Sequence, residues 1–248
     1  MIHSTAIISP GASVADTITV GPYTVIEDNV TVERGCRIGP HVHLLGNTTV
    51  RENTAVHTGA VIGYKPQDHH YTGATSYTVI GRNCTVREHV TVHCGTDPES
   101  STVVADNTML MGLCHLAHNC CIGNHVNIAN NALLAGYVEV GDNAFISGGV
   151  LVHQFARIGR LAMAGGGARI SHDLPPFCMF AEGRIVGPNS VGLKRANIPP
   201  DTRKAIRNTI KIFFFQGLNR KNALEQIETT HGSVPEVQEF ITFVRESK

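Results

Sequence analysis

The sequence predicts a mainly β protein, a prism of short parallel strands followed by a helical tail. Three observations predict it. An aliphatic residue recurs every six positions from Ile8 to Ile170. The 248 residues are 42% hydrophobic but only 6% aromatic, with 25 Gly and no Trp. The repeat stops at Asp173-Leu-Pro-Pro176, after which apolar residues recur at helical spacing.

The leads of the hexads run in phase from Ile8 to Ile62, from Ile80 to Val92 and from Val104 to Ile170, and all but Ala164 are Ile, Leu or Val. Four residues after the lead of each of the 23 complete hexads stands Ala, Thr, Cys, Val or once Ile. A six-residue unit fits one short strand and one corner. Three units close a triangular coil of 18 residues, and coils stack about 4.8 Å apart through main-chain hydrogen bonds. About eight coils give a prism roughly 40 Å long by that spacing. A triangle this narrow admits only aliphatic and small side chains, which accounts for the composition. Three after the lead, Asn29, Gly35, Asn53, Asn83, Asn107, Asn131, Asn143 and Gly149 supply residues that tolerate a left-handed corner.

Two segments, 64–78 and 96–103, break the repeat without breaking its phase. Loops that leave and rejoin in register are often decoration, but they are also where sites are built. The polar, His-containing first loop is a candidate on that ground. The prism is assigned to residues 1–190 and a helical domain to 191–248. In the tail, Pro199-Pro200-Asp201 opens a helix carrying Ile206, Ile210, Phe213 and Phe214 and closed by Gly217. Asn219 caps a second helix carrying Leu224 and Ile227. Ser233-Val-Pro-Glu236 reads as a capping box before Val237, Phe240, Ile241 and Val244.

The 20 Lys+Arg balance 20 Asp+Glu. From residue 194 onward, however, ten basic residues face six acidic ones, a balance of +4 that leaves −4 for the prism. A basic tail suits an acidic partner or ligand, or is a solvated helix face. The neutral total gives no reason to expect nucleic acid. No apolar run nears the roughly 20 residues needed to cross a bilayer. The N-terminus lacks the basic start and apolar stretch of a signal peptide. Seven Cys without framework spacing point to a reducing cytoplasm.

The 18-residue coil turns sequence distance into height. His115 and His118 share a coil. Gly136 lies one coil above His118 and Gln154 two above, with Tyr137 over Asn119 and His153 beside the same line. By the stacking distance His118 and His153 stand roughly 10 Å apart. His57 and His93, 36 apart, form a second column on the same count. His118 is the candidate general base, since a neutral imidazole takes a proton from a hydroxyl or amine near pH 7. The Gly136 main-chain N–H is a candidate oxyanion donor. Alternatively, histidines merely populate polar corners. A metal-dependent hydratase would use three His, but His115, His118 and His125 lack the ligand spacing of the gamma-class carbonic anhydrases, so neither metal nor cofactor is expected. Cys36, Cys84, Cys114 and Cys120 take the small inward position and are structural. Gly165-Gly166-Gly167 lacks the strand, helix and Lys of a phosphate loop, and leaves room beside a corner instead.

Cys-His-Leu-Ala-His-Asn-Cys (114–120), Leu-Ala-Gly-Tyr-Val (134–138), Val-His-Gln-Phe (152–155), Asp-Leu-Pro-Pro-Phe (173–177) and Asn-Ser-Val-Gly-Leu-Lys-Arg (189–195) together resemble the acyl-carrier-protein-dependent UDP-N-acetylglucosamine O-acyltransferases, which start lipid A synthesis in Gram-negative bacteria. The resemblance spans nearly the whole chain. It implies a left-handed parallel β-helix, against the usual right-handed crossover, and a homotrimer with sites between neighbouring prisms. His118 matches the base that deprotonates the sugar 3-hydroxyl, and Gly136 the oxyanion donor. Gln67, Asp68, His115 and Tyr137 match contacts on the sugar side. His153, Gln154, Asn189 and Arg195 match the nucleotide end, where the fork of Arg195 suits a phosphate. Gly166 matches the position that measures the acyl chain. The basic tail would meet the acidic acyl carrier protein. Asn119 replaces the family's usual Asp, Tyr137 a usual His, His70 a usual Lys and Val191 a usual acidic residue, and the stretch 182–189 is about three residues short. These departures leave open a 3-amino sugar acceptor with an amide product, a specialised paralogue, or a binder that has lost catalysis.

Overall fold

A computed structural model describes residues 1–247. The chain winds as a triangular parallel β-helix. Strands starting with Ile7–Ile8, Ser13–Val14 and Thr19–Val20 found three sheets of nine, eight and ten strands, and successive strands pass from the first sheet to the second to the third. Each strand pairs in parallel with its counterpart one coil on, for example His115 with Leu133 and Leu116 with Leu134. From Val20 to Ile170 every hexad lead is buried. At the small inward position, several buried Thr and Cys are satisfied along the prism axis, although the Thr78 hydroxyl is not. The Thr24 hydroxyl donates to Gly39 O at 2.6 Å and that of Thr54 to Gly81 O at 2.7 Å. The Cys36 thiol donates to Arg51 O at 3.1 Å.

All eight Asn and Gly predicted at corners have φ between 54° and 72°. Tyr23, His41, Leu113, Asn119, Tyr137 and Phe155 occupy the same corner position, also with positive φ. The coil therefore imposes the left-handed turn even on side chains that dislike it.

The inserted segments change the height count. Val61–Tyr64 of the first sheet is followed, after the first excursion, by Tyr77–Ile80 of the second. Thr91–His93 of the first is followed, after the other, by Ser101–Val104 of the second. Ile62 consequently pairs with Val92 and Val92 with Leu116, 30 and 24 residues apart rather than 18. The expected His57–His93 column does not exist for this reason. His57 follows a strand of the third sheet, whereas His93 ends one of the first.

An antiparallel pair, Cys178–Ala181 and Arg184–Pro188, ends the prism. Four helices follow: α1 (Ser190–Arg195), α2 (Pro200–Phe215), α3 (Arg220–His231) and α4 (Pro235–Glu246). The short α1 has no counterpart in the sequence reading. Asn189 caps it, its side chain accepting from Gly192 N. Asn219 caps α3 as expected. The capping box at Ser233 does not form. Pro235, with its fixed φ, sets the first turn of α4, which makes Val234 the cap residue without a side-chain bond. Among the described residues no helix is long and apolar enough to cross a membrane.

The tail is clamped to the prism through Arg157 and Arg160. Arg157 Nη2 lies 2.9 Å from Asp173 Oδ2 and 3.2 Å from Phe243 O, with its guanidinium over the Phe243 ring. The Ser247 hydroxyl donates to the same carboxylate at 2.7 Å, and Arg160 pairs with Glu239 at 2.8 Å. Burial alone would raise the Asp173 carboxyl. The Ser247 hydroxyl and the N–H groups and charge of Arg157 outweigh it and hold the group below the usual range. A carboxylate depressed in the native state stabilises above its unfolded pKa, near 4, and that contribution is lost as pH falls through the native value. Between pH 5 and 3 the melting temperature should therefore fall more steeply in the native protein than in Asp173→Asn, as read by circular dichroism.

Candidate active site

Both excursions leave the prism at one edge, between the first and second sheets, below the corner of residues 117–120. The coil carrying His118 thus sits above two loops that fold back towards it. The loops also bind each other, Glu99 N donating to Thr75 O at 2.8 Å and the Tyr77 hydroxyl to Glu99 Oε2 at 2.9 Å.

His118 lies where they converge and is buried, 7% exposed. Its Nδ1 is 3.0 Å from Asn119 Oδ1 and 3.1 Å from Thr96 Oγ1. Its Nε2 faces Asp68 Oδ2 at 3.8 Å. The other Asp68 oxygen accepts from His70 N at 2.9 Å and contacts His70 Nδ1 at 3.0 Å, which holds this carboxyl below its ordinary value. The expected stacking is present. A Cβ on Gly136 would stand 2.5 Å from His118 Nε2, so the glycine lies directly over the imidazole. Tyr137 meets His118 edge-on, with ring centres 5.2 Å apart, and stacks on Phe155 at 4.9 Å.

The neighbouring imidazoles are kept neutral. Burial, reinforced by the proximity of the His115 and His118 imidazoles, pushes His93 down to about 4. Burial and His118 push His115 down in the same way. His115 Nδ1 is paired with the Thr91 hydroxyl at 2.7 Å, and the His93 ring meets that of His115 edge-on at 4.7 Å. His125 sits at a different corner, between the second and third sheets, so the three His of a hydratase site do not converge.

The main-chain N–H two residues after a lead is left free by the turn. At three successive corners between the second and third sheets a side chain one coil on accepts it. Arg82 N donates to Asp106 Oδ1 at 2.7 Å, Asp106 N to Asn124 Oδ1 at 3.2 Å, and Asn124 N to Asp142 Oδ1 at 2.7 Å. Among the described residues nothing accepts from the equivalent N–H of Gly136.

The remaining expected residues divide. Gln67 is exposed on the first loop. His153 and Gln154 lie on the His118 edge, as the count predicts, with His153 Nδ1 3.1 Å from Gln154 O. Asn189 and Arg195 do not. They line a pocket of about 660 Å³ with His125, Phe145 and Met163, along the third sheet. Gly166 lies on the remaining edge, and a Cβ there would find only Gly148 O, at 3.8 Å. Its neighbour Gly165 is packed tightly, since a Cβ would meet Phe180 O at 3.0 Å. A single chain therefore spreads the expected residues over three sides. Cys36, Cys84, Cys114 and Cys120 are buried, and burial raises their thiols, which leaves them inert.

Comparison with known proteins decides the family. A model described as UDP-N-acetylglucosamine O-acyltransferase, domain 2, matches residues 173–248, and one of bacterial transferase hexapeptide repeats matches 101–136. The chain is 40% identical over its full length to the acyl-[acyl-carrier-protein]–UDP-N-acetylglucosamine O-acyltransferase of Thermodesulfovibrio yellowstonii, covering 97% of that protein. It is 35% identical to that of Bartonella henselae over 99% of this chain and 90% of the other. The chain belongs to this acyltransferase family. The solved UDP-N-acetylglucosamine O-acyltransferase of Moraxella catarrhalis superposes with a TM-score of 0.95 at 33% identity, over 100% of this chain and 97% of that one. The Francisella novicida UDP-N-acetylglucosamine acyltransferase gives 0.93 at 33% identity, over 100% and 92%. The acyltransferase fold they share with this chain is a left-handed parallel β-helix.

Sequence reasoning missed Thr96 and Asp97. Tyr137 Oη donates to Asp97 Oδ2 at 2.6 Å and is 3.1 Å from Thr96 Oγ1, and Asp97 pushes the phenol up so that it keeps its proton. A signal for them existed. Three leads, Ile80, Val86 and Val92, separate the excursions, and three more, Val104, Leu110 and Leu116, separate the second from His118. Three hexads are one full coil, so all these segments leave from one corner.

Proposed function

We infer that the protein transfers an acyl or 3-hydroxyacyl chain from acyl carrier protein to the 3-position of UDP-N-acetylglucosamine, opening lipid A synthesis. One observation carries this reading. In a member of the family, a buried imidazole lies directly beneath a glycine whose N–H is unspent among the described residues. His118 Nε2 takes the proton from the sugar 3-hydroxyl. The oxygen attacks the thioester carbonyl, and the Gly136 N–H donates to the oxygen that becomes negative. As the intermediate collapses, the C–S bond breaks and the imidazolium returns its proton to the leaving thiolate. Asp68 and Gln67 hold the sugar, together with His115 and Tyr137. His153, Gln154, Asn189 and Arg195 take the nucleotide.

Asn189 and Arg195 lie away from His118 on one chain, so the site is completed between neighbouring prisms of a homotrimer. Exposed Leu133 and Leu151, paired one coil apart on the first sheet, supply apolar surface for that contact. Gly166 leaves space for a long acyl chain. Acyl carrier protein docks on the basic tail, and the reaction takes place in the cytoplasm. Incubation with a panel of acyl carrier protein thioesters and UDP-sugars, read by mass spectrometry, tests this. The expected product is an ester of UDP-N-acetylglucosamine. An amide formed only on a 3-amino sugar would replace the acceptor, and no product with any donor would leave a binder.

A further inference from the structure

A base must hold its lone pair on the nitrogen that faces the substrate, and an imidazole has two nitrogens that compete for one proton. The groups around His118 bear on that choice. On the Nδ1 side stand Asn119 Oδ1 at 3.0 Å and Thr96 Oγ1 at 3.1 Å. The Asn119 amide cannot turn freely, because its Oδ1 already accepts from Thr96 N at 3.0 Å. That oxygen can therefore only receive a proton from the ring. Thr96 Oγ1 owns a single hydrogen, and so does Tyr137 Oη. The Tyr137 proton is committed to the Asp97 carboxylate at 2.6 Å. Tyr137 Oη thus offers Thr96 a lone pair at 3.1 Å, while Asn119 Oδ1 offers another at 2.6 Å. With both acceptors in place the Thr96 hydrogen points away from the ring and its oxygen accepts from Nδ1; with the Tyr137 proton turned towards Thr96, only Asn119 would compete with the ring for that hydrogen.

We propose that Asp97 is a positioning residue which, through Tyr137 and Thr96, reinforces Asn119 in holding the proton of His118 on Nδ1 and leaves Nε2 free to act as base. The opposing influence is Asp68, whose Oδ2 is 3.8 Å from Nε2 and draws a proton to that side. His93 and His115, both neutral, add no charge to the balance. Asp97 is an exposed residue of the second excursion, so its effect is weaker than that of a buried carboxylate bonded directly to a ring. Asn119 supplies the acceptor that touches the ring, and Asp97 supplies the charge that gives the row its direction.

The inference rests on His118 being the base, and the test separates the two. Ring-nitrogen NMR on 15N-histidine-labelled protein, assigned with a His118→Gln variant, reads the tautomer without turnover. The expected native signal is Nδ1–H. In Asp97→Asn the signal moves towards a mixture with Nε2–H, kcat falls about tenfold and KM for both substrates stays within about twofold. Asp97→Glu recovers part of the rate. Tyr137→Phe lowers kcat similarly, and the double variant is no slower than the slower single one, because both cut one row. A native Nε2–H tautomer, an unchanged kcat in Asp97→Asn or additive losses would overturn the inference. Full turnover in His118→Ala would instead overturn the base assignment, whatever the tautomer.

Discussion

His118→Ala is expected to lower kcat about a thousandfold while KM for the nucleotide sugar changes only a few-fold. The size follows from the reaction. A positioned general base contributes about 10²–10⁴ in rate. Loss of a group that acts in the transition state lowers kcat rather than raising KM. Neither imidazole beside it can take over. His115 is tied to Thr91, and His93 is buried beside it and neutral. The substitution touches none of the hexad leads, so the melting temperature should hold. Initial rates on purified protein with a saturating acyl donor check this, and full activity would remove His118 from its role.

Gly136→Ala should be nearly as damaging, for a steric reason. The backbone there is not left-handed, so alanine is admissible to the chain itself. Its Cβ, however, would stand 2.5 Å from His118 Nε2. The ring is backed by Asn119 and Thr96 and cannot retreat without breaking those bonds. A displacement of about 1 Å at a reacting group costs about a hundredfold, and the same methyl crowds the N–H assigned to the oxyanion. A loss of about a hundredfold in kcat with an unchanged circular dichroism spectrum is expected. Near-native kcat would mean that the ring has more freedom than its partners allow.

Much of this architecture was legible in the sequence because the coil is a strict constraint. Val20 to Ile170 point inward for one reason, and Asn29 or Asn131 turn the corner for another, and both reasons act on single residues. Gly136 over His118 was legible because no insertion interrupts residues 104–170. The His57–His93 column failed because the height count was carried through an excursion. The capping box failed because Pro235 outweighs Ser233 in setting where α4 begins. Thr96 and Asp97 went unread because a loop's path depends on what it lands on, here Tyr137 and the other excursion, and neither contact has a period. The place of Asn189 and Arg195 went unread because the coil count ends at Ile170 and assigns no position to residues beyond it.

The idle N–H at each corner carries a consequence for how such a site arises. On one edge, Asp106, Asn124 and Asp142 form a file of stoppers, each plugging the donor of the coil before it. On the edge of His118 the stopper for Gly136 is missing. Winding the chain thus leaves donors at regular intervals without any sequence devoted to them, and side chains silence only a few, at Glu52, Arg82, Asp106 and Asn124. What sets Gly136 apart from the other open donors is therefore the histidine beneath it. Other corners, at Gly112, Gly148 and Gly166 among them, offer the same open donor, and what they lack is an imidazole one coil below.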